Sequence, residues 1–255
     1  MVFPQTVTPL VVIIPFIKKQ IPRLRDMLSR WSKIDYAPLD DGMSFIDEAK
    51  TDLIFFYNKG PNEVEEQINK ILDELGIRKH FVKISFLYAD LSEKDDVYPI
   101  ATTRMFYRVI KDEELRQKYK YFFYMEPDTL TVRKGWMQAL HNIAFNQKPF
   151  FSLGSINRGN FVNIEPHRMH INGNALYSFS DEHLSFLNEL KKNVFFVFDL
   201  DPYMYMLSHY DALIKYWHQF IFDDIIMNMY KTGYSEKQLV LENPKTFFVH
   251  GGWQV

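Results

Sequence analysis

Short apolar runs alternate along the chain with stretches that place an apolar side chain every three or four residues. The first run, Leu10-Val11-Val12-Ile13-Ile14, contains no polar position and reads as a strand buried on both faces, halted by Pro15. Residues 21–31 carry Leu24, Met27, Leu28 and Trp31 at helical spacing and predict an amphipathic helix. Leu53-Ile54-Phe55-Phe56-Tyr57 is a second buried strand, and Asn62 stands where it would cap a helix over 63–75 that Gly76 closes. Residues 81–88 set Val82, Ile84 and Phe86 against Lys83 and Ser85, the alternation of a third strand. Residues 101–118 predict one helix, Tyr121-Phe122-Phe123-Tyr124-Met125 a fourth strand and 136–145 another helix. Further strands are expected at 150–155, 175–179 and 246–249, a loop at 159–168, a helix capped by Ser180 at 181–192, and mostly helix over 203–207 and 210–230. This alternation predicts an α/β fold with a mostly parallel central sheet flanked by helices. Without a repeat, a linker or a low-complexity segment, residues 1–255 are expected to form one domain.

Composition narrows the function classes. A net charge of −2 supplies no basic field for nucleic acid. With no cysteine, a disulfide scaffold, a thiolate zinc site and a cysteine nucleophile are excluded. The apolar run Leu10 to Phe16 is too short to span a bilayer and follows no charged leader, so neither a membrane span nor a signal peptide is expected, and a cytoplasmic location is. The last residues, Trp253-Gln254-Val255, carry no polar tail, which raises the expectation of further domains in a longer polypeptide. The phosphate-loop, dinucleotide and serine-hydrolase glycine motifs are all missing. The segment after the first strand, Phe16-Ile17-Lys18-Lys19-Gln20, lacks the glycines that a nucleotidyltransferase needs there.

Four acidic or histidine features carry candidate chemistry. Glu126-Pro127-Asp128 follows the fourth strand, where open α/β sheets bind ligands; two carboxylates there suit a hard divalent cation, or else form a solvated turn. Asp199-Leu200-Asp201 has the same acid-x-acid spacing but comes late in the chain. Asp223-Asp224 offers a base for a hydroxyl, or a cap for a helix over 225–230. His250 follows the last strand and precedes Gly251-Gly252, either as a metal ligand or as a structural residue.

Tyr124-Met125-Glu126-Pro127-Asp128-Thr129, followed by Lys134-Gly135-Trp136, resembles the "MEPDT" variant of the DXD motif of GT-A-fold glycosyltransferases. His170-Ile171-Asn172-Gly173-Asn174-Ala175-Leu176-Tyr177 is similar to the "NGNA-Y" segment of the same group, in the same order and separation, and the likeness spans roughly residues 10 to 252. Within that group the chain resembles transferases of algae and their large viruses that build surface glycans. The resemblance implies a Rossmann-like GT-A fold, with a nucleotide-sugar-binding half over about 1–153 and an acceptor-binding half over about 154–255, meeting near Gly154. It implies Mn2+ or Mg2+ held by Asp128, by Glu126 directly or through water, and by His250. Pro15, Phe16 and Asp90 would line the nucleotide, Arg104 would approach the pyrophosphate or donor sugar, and Asn172, Gly173 and Asn174 would sit by the donor sugar or acceptor. Asp224 would be the base of an inverting transfer and Asp223 its acceptor-positioning neighbour. The implied partners are a nucleotide sugar, UDP-linked before GDP-linked, and a glycan acceptor. The alternatives are a retaining transferase of the same fold and a non-catalytic carbohydrate-binding domain.

Overall fold

The computed structural model describes residues 8–42, 49–158, 170–192 and 197–255. Its framework is a seven-stranded sheet in the order β3-β2-β1-β4-β7-β6-β8. The strands are β1 (Thr8–Phe16), β2 (Asp52–Tyr57), β3 (Ile84–Tyr88), β4 (Tyr119–Tyr124), β6 (Ser152–Gly154), β7 (Ala175–Ser178) and β8 (Phe220–Phe222). All neighbouring pairs are parallel except those made by β7, which runs antiparallel to both β4 and β6. Strands from both predicted halves therefore share one sheet.

The unbroken apolar run of β1 follows from its central place. Leu10, Val12, Ile14 and Phe16 enter the core on one face of the sheet, and Val11 and Ile13 enter the core on the other. At about 1.5–3 kcal/mol for each fully buried large apolar side chain, this strand anchors both layers. Pro15 does not halt it. The ladder to β4 ends at Ile13↔Tyr124, so the side on which Pro15 lacks an N–H faces no partner strand, and pairing to β2 runs on to Phe16↔Tyr57.

Helices cover the sheet largely where the pattern places them. Leu24, Met27, Leu28 and Trp31 form the buried face of α1 (Ile21–Trp31). Asn62 Oδ1 accepts the Val64 N–H at 2.9 Å at the start of α2 (Val64–Leu75), and Gly76 ends it with a left-handed φ of 63°. The expected helix over 101–118 is two helices, α3 (Ile100–Lys111) and α4 (Glu113–Lys118), because Asp112 leaves helical geometry to cap the Leu115 N–H. After α5 (Trp136–Asn146), the Ser180 side chain caps α6 (Asp181–Lys191) as expected.

Two further expectations fail. The third strand begins at Ile84 rather than Phe81, since its ladder to β2 starts at Leu53↔Ile84 and leaves Val82 exposed. The helix expected over 203–207 is present as α7 (Asp201–Ser208), but the one expected over 210–230 is replaced by α8 (Tyr210–Tyr216), strand β8, and β9 (Ile226–Asn228). Phe220-Ile221-Phe222 and Ile225-Ile226 are aromatic and β-branched residues that fill open sheet edges, and that tertiary demand overrides local helix preference. The loop expected at 159–168 lies wholly outside the described residues.

A second, three-stranded sheet stands beyond the carboxyl end of β4. It consists of β5 (Thr129–Thr131), β9 and β11 (Phe248–His250), in the order β5-β11-β9. The chain closes with α9 (Glu236–Glu242), between the short strands β10 (Gly233–Tyr234) and β12 (Trp253–Gln254), which pair in parallel.

Two core histidines tie stability to pH. His183 is buried, stacks on Phe151 at 4.8 Å, and donates from Nδ1 to the Ser178 carbonyl. His141 is buried in α5 with no hydrogen-bond partner at either ring nitrogen among the described residues. Burial pushes both pKa values down to about 4. The unfolded chain, with histidines near 6.5, then takes up protons first as pH falls. Stability is full above about pH 6.5 and falls toward pH 4, by up to about 3 kcal/mol for each ring. Urea unfolding at pH 7.5, 5.5 and 4.5 should show this loss. His141→Leu should cut the slope by roughly half while costing nothing at pH 7.5, because it removes an unpaired buried polar group. An unchanged slope would contradict the assignment.

Candidate metal and donor site

The site is assembled by a handover between the two sheets. β4 ends at Tyr124, and the Met125 N–H still bonds to the Ile13 carbonyl at 3.0 Å. Glu126-Pro127-Asp128-Thr129 then folds into a turn closed by Thr129 N–H to the Glu126 carbonyl at 3.0 Å. The turn delivers the chain into β5, which pairs antiparallel with β11 in a register that sets His250 opposite Thr129. His250 thereby meets the two acids that precede Thr129 in the chain. Its Nε2 lies 3.3 Å from Glu126 Oε2 and 3.4 Å from Asp128 Oδ1. Among the described residues these three form the only group of three or more His, Asp or Glu whose ligand atoms lie within 4.8 Å of one another.

Each member is held from behind. Asn174, 1% exposed, accepts the Glu126 N–H at 2.7 Å and donates to Glu126 Oε2 at 3.0 Å. Its Oδ1 also takes the Thr129 hydroxyl at 2.9 Å. Asn228 Oδ1 lies 3.0 Å from His250 Nδ1. Arg23, from α1, stands 3.7 Å from Asp128 Oδ2. Burial opposes charge on His250, but hydrogen bonds to Asp128 and Glu126 and their negative charges outweigh it and raise its pKa to about 9. The reciprocal effect holds the Asp128 carboxyl below its usual range: burial pushes it up, and the bond and charge of His250 more than reverse that.

The structure brings some predicted residues together and separates others. Asn172, Gly173 and Asn174 adjoin the acids, and the Asn174 amide is hydrogen-bonded to Glu126, Thr129 and Asn172. Gly173 donates its N–H to Asp199 at 2.8 Å, and a Cβ there would sit 2.7 Å from the Phe198 ring, so only glycine fits. Gly251 adopts φ 70°, while a Cβ on Gly252 would meet Met229 at 2.9 Å; Gly252 is small to pack against the protein itself. The Phe16 ring is 1% exposed and stacked on Tyr57 at 5.2 Å, and Pro15 is buried, so the end of β1 is a packed floor. Asp90 and Arg104 line a separate concavity of about 780 Å³ with Ser92, Asp95 and Arg108. Within it Arg104 pairs with Asp95 at 3.1 Å.

Asp223 and Asp224 follow β8, three strands across the sheet from β4, or about 14 Å by strand spacing. Asp223 does not cap a helix; its Oδ1 accepts the Ile225 N–H at 2.8 Å in the turn into β9. Asp224 Oδ1 is paired with Arg158. The Asp199-Leu200-Asp201 pair diverges: Asp199 holds the Gly173 N–H, while Asp201 is buried and accepts the Val197 N–H at 2.9 Å. Sequence reasoning missed Asn228 and Arg23. The β-branched pair Ile225-Ile226 was the available signal that Asn228 belongs to a strand; Arg23 carries none, being one of many surface cations.

No protein-family model matches the chain, and no curated protein matches it. Solved structures do. Mouse xyloside xylosyltransferase 1 in its apo form superposes over 94% of this chain and 96% of its own, with a TM-score of 0.50 at 9% identity. Galactosyltransferase LgtC, in complex with donor and acceptor sugar analogs, superposes over 94% of this chain and 86% of its own, with a TM-score of 0.50 at 10% identity. A glycosyltransferase involved in glycosylation of the major capsid of PBCV-1 covers 94% and 92%, with a TM-score of 0.45 at 11% identity. With a mostly parallel seven-stranded sheet, flanking helices and the likeness to the xylosyltransferase and to LgtC, the chain has the GT-A glycosyltransferase fold.

Proposed function

We propose that the protein is a metal-dependent glycosyltransferase that moves a sugar from a nucleoside diphosphate sugar, UDP-linked before GDP-linked, to a hydroxyl of a glycan. The observation that carries this reading is the convergence of Glu126, Asp128 and His250 at the carboxyl end of β4. Two carboxylate oxygens and one imidazole nitrogen fit Mn2+, and fit Mg2+ less well because magnesium prefers oxygen alone. A cation there would neutralise the diphosphate as it departs. Asp128 and His250 would hold it, Glu126 directly or through water, with Asn174 fixing the Glu126 carboxylate. Arg23 would add positive charge beside the diphosphate. The concavity with Asp90 and Arg104 lies past the end of β3 and suits the nucleoside, where Asp90 would meet ribose hydroxyls.

For the acceptor, Asp224 is the proposed base and Asp223 the residue that holds the turn beneath it. Arg158 engages Asp224 Oδ1, and among the described residues Oδ2 has no protein partner, leaving it to take a hydroxyl proton. The same ion pair favours a second reading. Held by Arg158 across the sheet from the metal residues, Asp224 would serve as an acceptor clamp in a retaining transfer that needs no base.

Asp128→Ala should abolish Mn2+-dependent donor binding in calorimetry and lower kcat/KM by roughly 10²–10³-fold, the equivalent of several kcal/mol of lost charge stabilisation. Wild-type turnover by this variant would remove the metal assignment. Asp224→Asn should leave donor affinity unchanged and lower kcat by about 10²–10⁴-fold, the usual contribution of a general base. Normal transfer by Asp224→Asn, with retention of anomeric configuration in the product by NMR, would select the clamp reading. The donor follows from a panel of nucleotide sugars with and without Mn2+, read by thermal shift and donor hydrolysis.

A further inference from the structure

Asn228 lies in β9, in parallel register with His250 of β11, and is 1% exposed. Its partners leave no freedom in the orientation of its amide. Nδ2 lies 2.9 Å from the Ser155 carbonyl oxygen, which can only accept, so that atom is the NH2 group. A second contact, 3.1 Å to the Ser155 hydroxyl, holds it there. Asn228 Oδ1 is therefore the atom 3.0 Å from His250 Nδ1. An amide oxygen only accepts, so a ring nitrogen facing it at that distance carries a hydrogen. A bare Nδ1 would set two lone pairs against each other in a buried place, at the cost of an unmade hydrogen bond.

We infer that Asn228 is a positioning residue that fixes His250 as the Nδ1–H form, so that Nε2, the nitrogen aimed at Glu126 and Asp128, is the one left to bind a divalent cation. The inference rests on the metal site proposed above. A metal-bound histidine needs its second nitrogen tied to an acceptor to set ring orientation and tautomer, and Asn228 supplies that acceptor from the strand beside it. Ser155 completes the support. It is buried, and its carbonyl also receives the Asn172 N–H at 3.2 Å. The Asn-Gly-Asn turn, Ser155, Asn228 and His250 thus form one hydrogen-bonded series from the turn to the imidazole.

The test uses the purified protein with Mn2+ alone and, separately, with Co2+ alone. In the Co2+-loaded wild type, proton NMR should show an exchangeable, strongly shifted ring N–H signal that disappears in D2O and in His250→Ala. By calorimetry, Asn228→Leu should weaken Mn2+ binding about 10–100-fold, the range for loss of an outer partner of a metal-bound histidine. Asn228→Asp keeps an oxygen against Nδ1 and should restore most of that affinity, although it breaks the bond to Ser155 just as leucine does. A merely structural role predicts the opposite, with both variants equally impaired. Wild-type Mn2+ affinity in a folded Asn228→Leu, equal impairment in both variants, or a Co2+ spectrum without that N–H signal would each overturn the inference. If Asn228→Leu does not fold, the wild-type Co2+ spectrum decides. A wild-type protein that binds neither ion overturns the metal site itself and this inference with it, an outcome distinct from the others.

Discussion

The pairing of β5 with β11 is the constraint on which the site depends. Only three residues of each strand take part, Thr129 to Thr131 against Phe248 to His250. Side chains alternate across a sheet, so a slip of one residue would turn His250 to the opposite face and part it from both acids. The register is held by burial: Phe248 packs on Phe123 and Trp136, and Val249 joins Val132, Met227 and Tyr234 in a small core of its own. Strict alternation of these residues between two apolar clusters makes the slipped state expensive. Accuracy at the polar site is thus a consequence of hydrophobic packing one residue away.

That accuracy is needed because the site is electrostatically costly. Glu126 and Asp128 present oxygens to a common space from one tight turn, and like charges so close repel. Before any divalent cation displaces the Nε2 proton, His250 offsets the cost as a cation between them, and Arg23 adds a weaker, more exposed contribution on the far side of Asp128. The two buried amides act differently. Asn174 and Asn228 carry no charge and neutralise nothing; they fix which atoms of Glu126 and His250 face inward. Buried hydrogen bonds of this kind are cheap only if complete, and both amides have partners for donor and acceptor alike.

Most of the main sheet and three of the candidate ligands were legible in the sequence, for a common reason. Strands buried on both faces print as unbroken apolar runs, and polar residues that interrupt such a run at its carboxyl end stand out, as Glu126 and Asp128 do after Tyr124. His250 stood out by the same rule. What was not legible lies where a local pattern had two physical solutions. The stretch after Tyr210 has helix-compatible residues, and only the open edges beside β6 and β11 make strands of Phe220–Phe222 and Ile226–Asn228. Reading that stretch as helix concealed Asn228 and made the turn at Asp223-Asp224 look like a helix cap. The contact of the Asn174 side chain with Glu126 was not legible either, because nothing in one dimension says where an amide points.

The two acid-x-acid segments show why spacing alone does not define a metal site. Asp199-Leu200-Asp201 has the shorter, more typical side chains, yet it sits where a turn enters helix α7, and its carboxylates are drawn apart to backbone N–H groups on different segments. Glu126-Pro127-Asp128 sits where one sheet ends and another begins. Pro127 limits the conformations of the turn, and β11 brings the His250 imidazole to 3.3 Å from Glu126 and 3.4 Å from Asp128. An acid pair gains a third candidate ligand only when the backbone around it is already satisfied and another segment of the chain is brought beside it. Topology sets both conditions, which is why His250 joins the acid pair that has a glutamate in place of one aspartate.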